Sequence, residues 1–145
     1  MRFVDTNILL YALSKDPAEA DKAHIARSLL DHPDLALSVQ VLQEFYVQAT
    51  RPGRKGALSH KQACQLIESF LRFPVQEITT AIMHAALALT GRFKIAYWDA
   101  AVIESARALR CETVLSEDLN HGQIYNGVRI VNPFRPRTAR ESEEL

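Results

Sequence analysis

The chain has 145 residues, 48% of them apolar, which is enough to bury the core of one compact domain and leaves no room for a second. Its 17 basic and 17 acidic residues cancel to a formal charge of zero, which excludes the global positive field of a strongly basic nucleic-acid binder and leaves any such contact to a local patch. Cys64 and Cys111 stand outside any CxxC or Cys/His cluster, no apolar run approaches the roughly 20 residues that span a bilayer, and residues 1–5 carry no leader pattern, so a reducing, cytoplasmic setting without a membrane is expected.

Residues 2–5 are a short apolar segment ending in a carboxylate, and residues 8–13 continue apolar without alternation, as where a buried strand runs into a helix. Asp16-Pro17-Ala18-Glu19 supplies an N-cap, a proline at the first helical position and a glutamate at the third, predicting a helix to about Leu30 that Asp31-His32-Pro33 stops. Residues 35–38 read as a second strand. Val39, Leu42, Phe45, Tyr46 and Ala49 then recur at helical spacing, with Glu44 about one turn into that helix. Arg51-Pro52-Gly53-Arg54-Lys55-Gly56 is a loop, and Ser59 caps a helix carrying Cys64, Leu66, Ile67, Phe70 and Leu71 at the same period. Residues 75–78 suit a third strand, after which Thr79 or Thr80 opens an alanine-rich helix expected to end at Thr90-Gly91. Tyr97-Trp98-Asp99 leads into a helix over 100–109, with Asp99 at its first turn, where the macrodipole favours an anion. Residues 113–116 form a strand, 117–122 a polar loop, and 128–131 a last strand closed by Asn132-Pro133. This alternation predicts an α/β fold: a parallel, twisted sheet of about four to five strands joined by right-handed crossovers, with helices on both faces. The domain is expected over 1–136, followed by a charged, mobile tail over 137–145.

In such sheets ligands bind outside the carboxyl ends of the strands. Asp5, Asp99 and Asp118 all belong to that edge, two directly after strands and one at a helix opening, and Glu44 joins them if its helix starts there too. Taken singly each is an ordinary solvated carboxylate or helix cap, at odds of roughly three to one. As a set they would repel one another unless something positive lay between them, and oxygen-only ligands suit Mg²⁺ or Mn²⁺.

The fragments Phe3-Val4-Asp5-Thr6-Asn7, Gln43-Glu44-Phe45, Trp98-Asp99-Ala100-Ala101 and Leu115-Ser116-Glu117-Asp118 stand in an order, and on elements, that resemble the PIN-domain family, in particular its VapC-like toxins. The resemblance covers nearly the whole chain. It implies metal-dependent hydrolysis of RNA with Mg²⁺ or Mn²⁺, a homodimer, and a cognate antitoxin protein as partner. It places Asp5, Glu44, Asp99 and Asp118 at the four acidic positions, with Asp5, Asp99 and Asp118 as metal ligands and Glu44 as ligand or base. Thr6 and Asn7 support the first acid, and Ser116 matches a hydroxyl position beside the last. Many members carry a further aspartate where this chain has Asn120, which weakens the case for a second ion.

Arg51, Arg54 and Lys55 are candidates to grip an RNA backbone, against an equal expectation of a solvated loop. Tyr97 and Trp98 are read as packing residues rather than base-stacking ones by about two to one. Phe70, Leu71 and Phe73 suit a core or a dimer face, and the five histidines show no ligand spacing. Two rival readings remain. A phosphoryl-aspartate or receiver domain also places aspartates at strand ends, but Asp5-Thr6-Asn7 lacks its paired aspartate and no lysine follows the late strand. A catalytically silent RNA-binding or scaffolding PIN domain is the other. Nucleotide-binding folds are excluded by the lack of GxxxxGK[ST] and GxGxxG.

Overall fold

A computed structural model describes residues 1–136; the expected tail over 137–145 lies outside the described residues. Six strands form one sheet: β1 (Arg2–Val4), β2 (Leu35–Ser38), β3 (Val75–Gln76), β4 (Thr113–Leu115), β5 (Ile124–Tyr125) and β6 (Val128–Val131). Their order is β3-β2-β1-β4-β6-β5, parallel except for the β5–β6 pair. The α-helices are α1 (Thr6–Leu13), α2 (Ala20–Leu30), α3 (Val39–Ala49), α4 (His60–Phe70), α5 (Thr80–Phe93) and α6 (Tyr97–Ala108).

The sheet grows from β1 outward to β2 and β3, then back across to β4. Right-handed crossovers on the two sides of β1 therefore put α1 to α4 on one face and α5 and α6 on the other. The helix contacts agree: α1 packs on α2 and α3, and α3 on α4, whereas α5 and α6 pack on each other and α6 lies against β2, β3, β4 and β6. Strands sandwiched this way read as unbroken apolar runs, and Phe3, Val4, Leu35, Ala36, Leu37, Val114 and Leu115 are all buried. Among the described residues no helix is long and apolar enough to cross a membrane.

Three expectations need correction. The sheet has six strands rather than four to five, because β5 and β6 close a hairpin through Asn126-Gly127, both at positive φ (48° and 83°), a pairing that suits the right-handed twist of the flanking strands. The Asn126 amide also donates to Oε1 of the buried Glu104 at 3.1 Å and accepts from Arg92 at 3.1 Å, tying the hairpin to both α6 and α5. Helix α5 does not stop at Thr90-Gly91. It continues to Phe93, whose ring meets Tyr125 edge-on at 5.0 Å, and Lys94 takes the left-handed C-cap at φ 58°. Asp16 does cap a helical start, accepting from the Ala18 N–H at 3.0 Å, but Pro17–Glu19 forms a 3₁₀ turn before α2 begins.

Candidate active site

The crevice lies where the sheet reverses direction, between β1 and β4. Val4 pairs with Leu115, so the residues that follow, Asp5 and Ser116, stand side by side as the strands end. The Asp5 N–H still donates to the Leu115 carbonyl at 3.0 Å. Its side chain then N-caps α1: Oδ1 accepts from the Thr6 N–H and Oδ2 from the Ser116 hydroxyl, both at 2.8 Å.

Glu44 arrives from the next strand over. Ser38 ends β2 and caps α3 through the Val41 N–H, which starts α3 at the same sheet edge and brings Gln40 and Glu44 onto one helix face. The Thr6 hydroxyl donates to Glu44 Oε2 at 2.8 Å, and the Gln40 amide donates to Oε1 at 3.1 Å. The same buried Gln40 amide reaches the Trp98 carbonyl at 3.3 Å, fastening α3 to the opening turn of α6, which carries Asp99. On the other flank Asn7 Nδ2 donates to Asp118 Oδ2 at 3.0 Å and lies 3.5 Å from Ser116 Oγ, while its Oδ1 accepts from the Glu117 N–H at 3.3 Å. The Asp118 N–H donates to Ser116 Oγ at 3.1 Å.

The charges feel one another. Burial is the largest influence on Asp5 and pushes its carboxyl up to about 6; the Ser116 and Thr6 hydrogen bonds pull it down, and the Glu44 and Asp118 charges push it further up. Asp99 is raised first by burial and then by the Asp118 and Glu44 charges. Hydrogen bonds through Thr6, Ser116 and Asn7 thus tie Asp5, Glu44 and Asp118 together, and Asp99 is related to Asp118 and Glu44 through charge.

Among the described residues no three His, Cys, Asp or Glu side chains converge into a ready-made metal cage. The donor chemistry nevertheless fits a hard divalent cation. All four acids offer oxygen, Asp5 is buried under the repulsion of two of the others, and Mg²⁺ keeps several of its waters, so carboxylates too far apart for joint direct contact still serve through water.

The remaining candidates separate. Asn120 is exposed on the loop beyond Asp118, its carbonyl accepting from the Gln123 N–H. Arg51, Arg54 and Lys55 are all exposed. Arg54 lines both a cavity of about 220 Å³ beside Asn7 and Asp118 and a cleft of about 740 Å³ that runs to Lys55. Leu10 and Glu19 are shared by the two, making one groove from the acids to the basic loop, whereas Arg51 lines neither. Tyr97 packs against the core as expected, but Trp98 is 64% exposed, contrary to the packing reading. Phe70 and Phe73 are core while Leu71 is exposed. The His121 ring accepts from the Asn132 N–H at 3.0 Å.

Sequence reasoning missed Gln40 and a second group: Tyr11, Lys22 and Glu117. The Tyr11 hydroxyl donates to Glu117 Oε1 at 2.8 Å and Lys22 Nζ donates to Oε2 at 2.7 Å. Burial raises the Glu117 carboxyl, but these two donors outweigh it and leave it below its usual range; Glu117 in turn holds the Lys22 ammonium up. The fourfold spacing of Gln40 and Glu44 on a helix was a readable pairing cue.

No curated protein matches the chain. Among solved structures it resembles a toxin-antitoxin complex from Klebsiella pneumoniae, with 21% identity, a TM-score of 0.70, and coverage of 94% of this chain and 100% of that one. It resembles VapC20 of Mycobacterium tuberculosis, a toxin that cleaves the sarcin-ricin loop, at 18% identity and TM-score 0.61 over 81% of this chain and 92% of that one. VapBC2 of Rickettsia felis, bound to a DNA fragment from its promoter, matches at 17% identity and TM-score 0.60 over 89% and 96%. At these identities the likeness is one of fold. The PIN domain family model matches residues 2–127, most of the chain, and on that match the chain belongs to the PIN-domain family.

Proposed function

We propose that this protein is a metal-dependent endoribonuclease acting as the toxin of a toxin-antitoxin pair. The observation that carries the reading is the gathering of four acids at the sheet's switch point, where Glu44 and Asp118 act on both Asp5 and Asp99 and each acid is held by a hydrogen bond or a helix start. Membership of the PIN family, whose VapC members are nucleases, supports a hydrolase. Asp5, Asp99 and Asp118 would hold Mg²⁺ or Mn²⁺. Such an ion, when bound, supplies electrostatic stabilisation to a phosphoryl group and acidity to a water. Glu44 receives a hydrogen bond on each oxygen, from Thr6 and Gln40, which fixes its orientation whether it serves as a ligand or as the base that orients the attacking water. Ser116 and Thr6 fix the Asp5 oxygens, and Asn7 aims Asp118. Arg54 and Lys55, along the groove that leaves the acids, supply phosphate contacts without base selectivity.

The Klebsiella pneumoniae neighbour is a toxin-antitoxin complex, which supports an antitoxin protein as partner. Exposed Met83 and Leu87, four residues apart on α5, offer an apolar strip consistent with a homodimer. The deciding experiment is cleavage of RNA by purified protein. Wild type with Mg²⁺ or Mn²⁺ cuts, whereas Asp5→Asn, Asp99→Asn and wild type in excess EDTA do not, because an amide binds Mg²⁺ far more weakly than a carboxylate. Full cleavage by either variant or in EDTA refutes the reading; RNA binding that survives with no cleavage under any metal would favour the silent PIN domain.

A further inference from the structure

Asp118 sits on the loop after β4 with its side chain exposed. Asn7 gives the Asp118 carboxylate one hydrogen bond, which places the group only as firmly as the loop beneath it is held. Its neighbour Glu117 is far more firmly held. Both Glu117 oxygens are taken, one by the Tyr11 hydroxyl from α1 and the other by the Lys22 ammonium from α2, and Lys22 also lies 3.3 Å from the Tyr11 oxygen. The ammonium stands 4.9 Å from the centre of the Tyr11 ring and 5.8 Å from that of Phe134, and Phe134 meets Tyr11 edge-on at 4.9 Å. Asn7 and Tyr11 are four residues apart on α1, hence on one face. That face grips two successive loop residues: Asn7 takes the Glu117 N–H and the Asp118 carboxylate, and Tyr11 takes the Glu117 carboxylate.

We propose that Tyr11, Lys22 and Glu117 form a brace that sets the position of Asp118, and are positioning residues for the acid site. The inference rests on Asp118 belonging to that site. As a stabilising device the Lys22–Glu117 pair is weak, since its partners are 40% and 27% exposed and such ion pairs contribute little to folding. As a device for placing a carboxylate it is not weak, because displacements of about 1 Å at a reacting centre can cost about a hundredfold in rate. The two magnitudes make the brace visible in catalysis and metal binding while the fold hardly notices it.

The test compares the full chain with Tyr11→Phe, which removes one oxygen atom, with Lys22→Met, with Lys22→Arg, and with Asp118→Asn as the reference. Mn²⁺ affinity is measured by titration calorimetry, the Glu117 and Asp118 amides by hydrogen exchange in metal-free protein, and kcat and KM on a single-stranded RNA oligonucleotide. Tyr11→Phe and Lys22→Met are expected to weaken Mn²⁺ binding several-fold, to lower kcat about tenfold at unchanged KM, and to speed exchange at both amides about tenfold, with a melting temperature within about 3 °C of wild type. Lys22→Arg, which keeps the charge, recovers most of the loss. If Asp118→Asn weakens Mn²⁺ binding while Tyr11→Phe and Lys22→Met match wild type, the brace is wrong and the acid site stands. If KM rises at constant kcat, Lys22 or Tyr11 touches RNA directly and the positioning role is overturned. If Asp118→Asn leaves Mn²⁺ binding intact, the site reading falls and the brace falls with it.

Discussion

At neutral pH and without metal, Asp5 carries a buried negative charge that the folded protein resists. Its carboxyl is held at about 6, against 3.8 for an unconstrained one. Between those values the folded state keeps a proton that the unfolded state has released, so the contribution of Asp5 to stability is fullest below about pH 4 and is lost as pH rises through about 6. The full shift corresponds to about 3 kcal/mol. Metal-free Asp5→Asn should therefore flatten the pH dependence between about 4 and 6 and raise stability at pH 7 by about 1 kcal/mol or more. The gain is partial, because Ser116 Oγ already receives the Asp118 N–H and has little capacity to accept an amide as well. Urea melts across that range check it; a variant that keeps the wild-type slope places the buried charge elsewhere. Asp5, Asp99 and Asp118 could be read from the sequence because each is marked by an element boundary, a strand end, a helix start or a loop opening, whereas Glu44, in mid-helix, depended on where α3 begins. Tyr11 and Lys22 carry no such mark. Their partner lies 106 and 95 residues away, and on a helix face a phenol or an amine looks the same whether it meets solvent or a distant carboxylate.

The elements divide in the same way. Long periodic helices and buried strands followed directly from spacing, and Ser59 made the full capping box with Gln62. The failures sit where a tertiary contact overrules a local preference. Strand β5 is two residues long, too short for any alternation, though its Asn126-Gly127 turn was a cue in plain view. Gly91 reads as a helix end, yet Phe93 gains more by reaching Tyr125, and the helix runs through the glycine. That glycine is exposed, and a Cβ placed on it meets nothing within 4 Å. Gly91→Ala should therefore stabilise the protein by about 0.5–1 kcal/mol, since it removes the conformational freedom of glycine from a helix interior at no steric cost. A chemical denaturation midpoint that falls instead would show that α5 ends where its sequence suggests.

For the molecule as a whole, the proposed metal site implies a trade between stability and occupancy. Mg²⁺ should stabilise wild type by RT ln(1 + [L]/Kd), about 2.7 kcal/mol at a hundredfold excess over Kd, and so raise its melting temperature, and should stabilise Asp5→Asn, Asp99→Asn and Asp118→Asn less. Asn120→Asp should do the reverse of those variants, lowering metal-free stability while tightening Mg²⁺ or Mn²⁺ binding. Thermal melts with and without metal decide this, and equal shifts across the series would mean that the four acids share no ion. The architecture bears on a different matter, the making of the protein. Asp5 and Ser116 hydrogen-bond across 111 positions, on a strand from the start of the chain and one from near its end. Closing so large a loop is among the slow steps of folding. During synthesis the chain therefore carries Asp5, then Glu44, then Asp99 before any β4 exists to gather them, and a fragment that stops short of Thr113 holds three of the four acids and no site. A ribosome making this protein thus assembles the proposed cutting centre only once β4 and the loop after it have emerged.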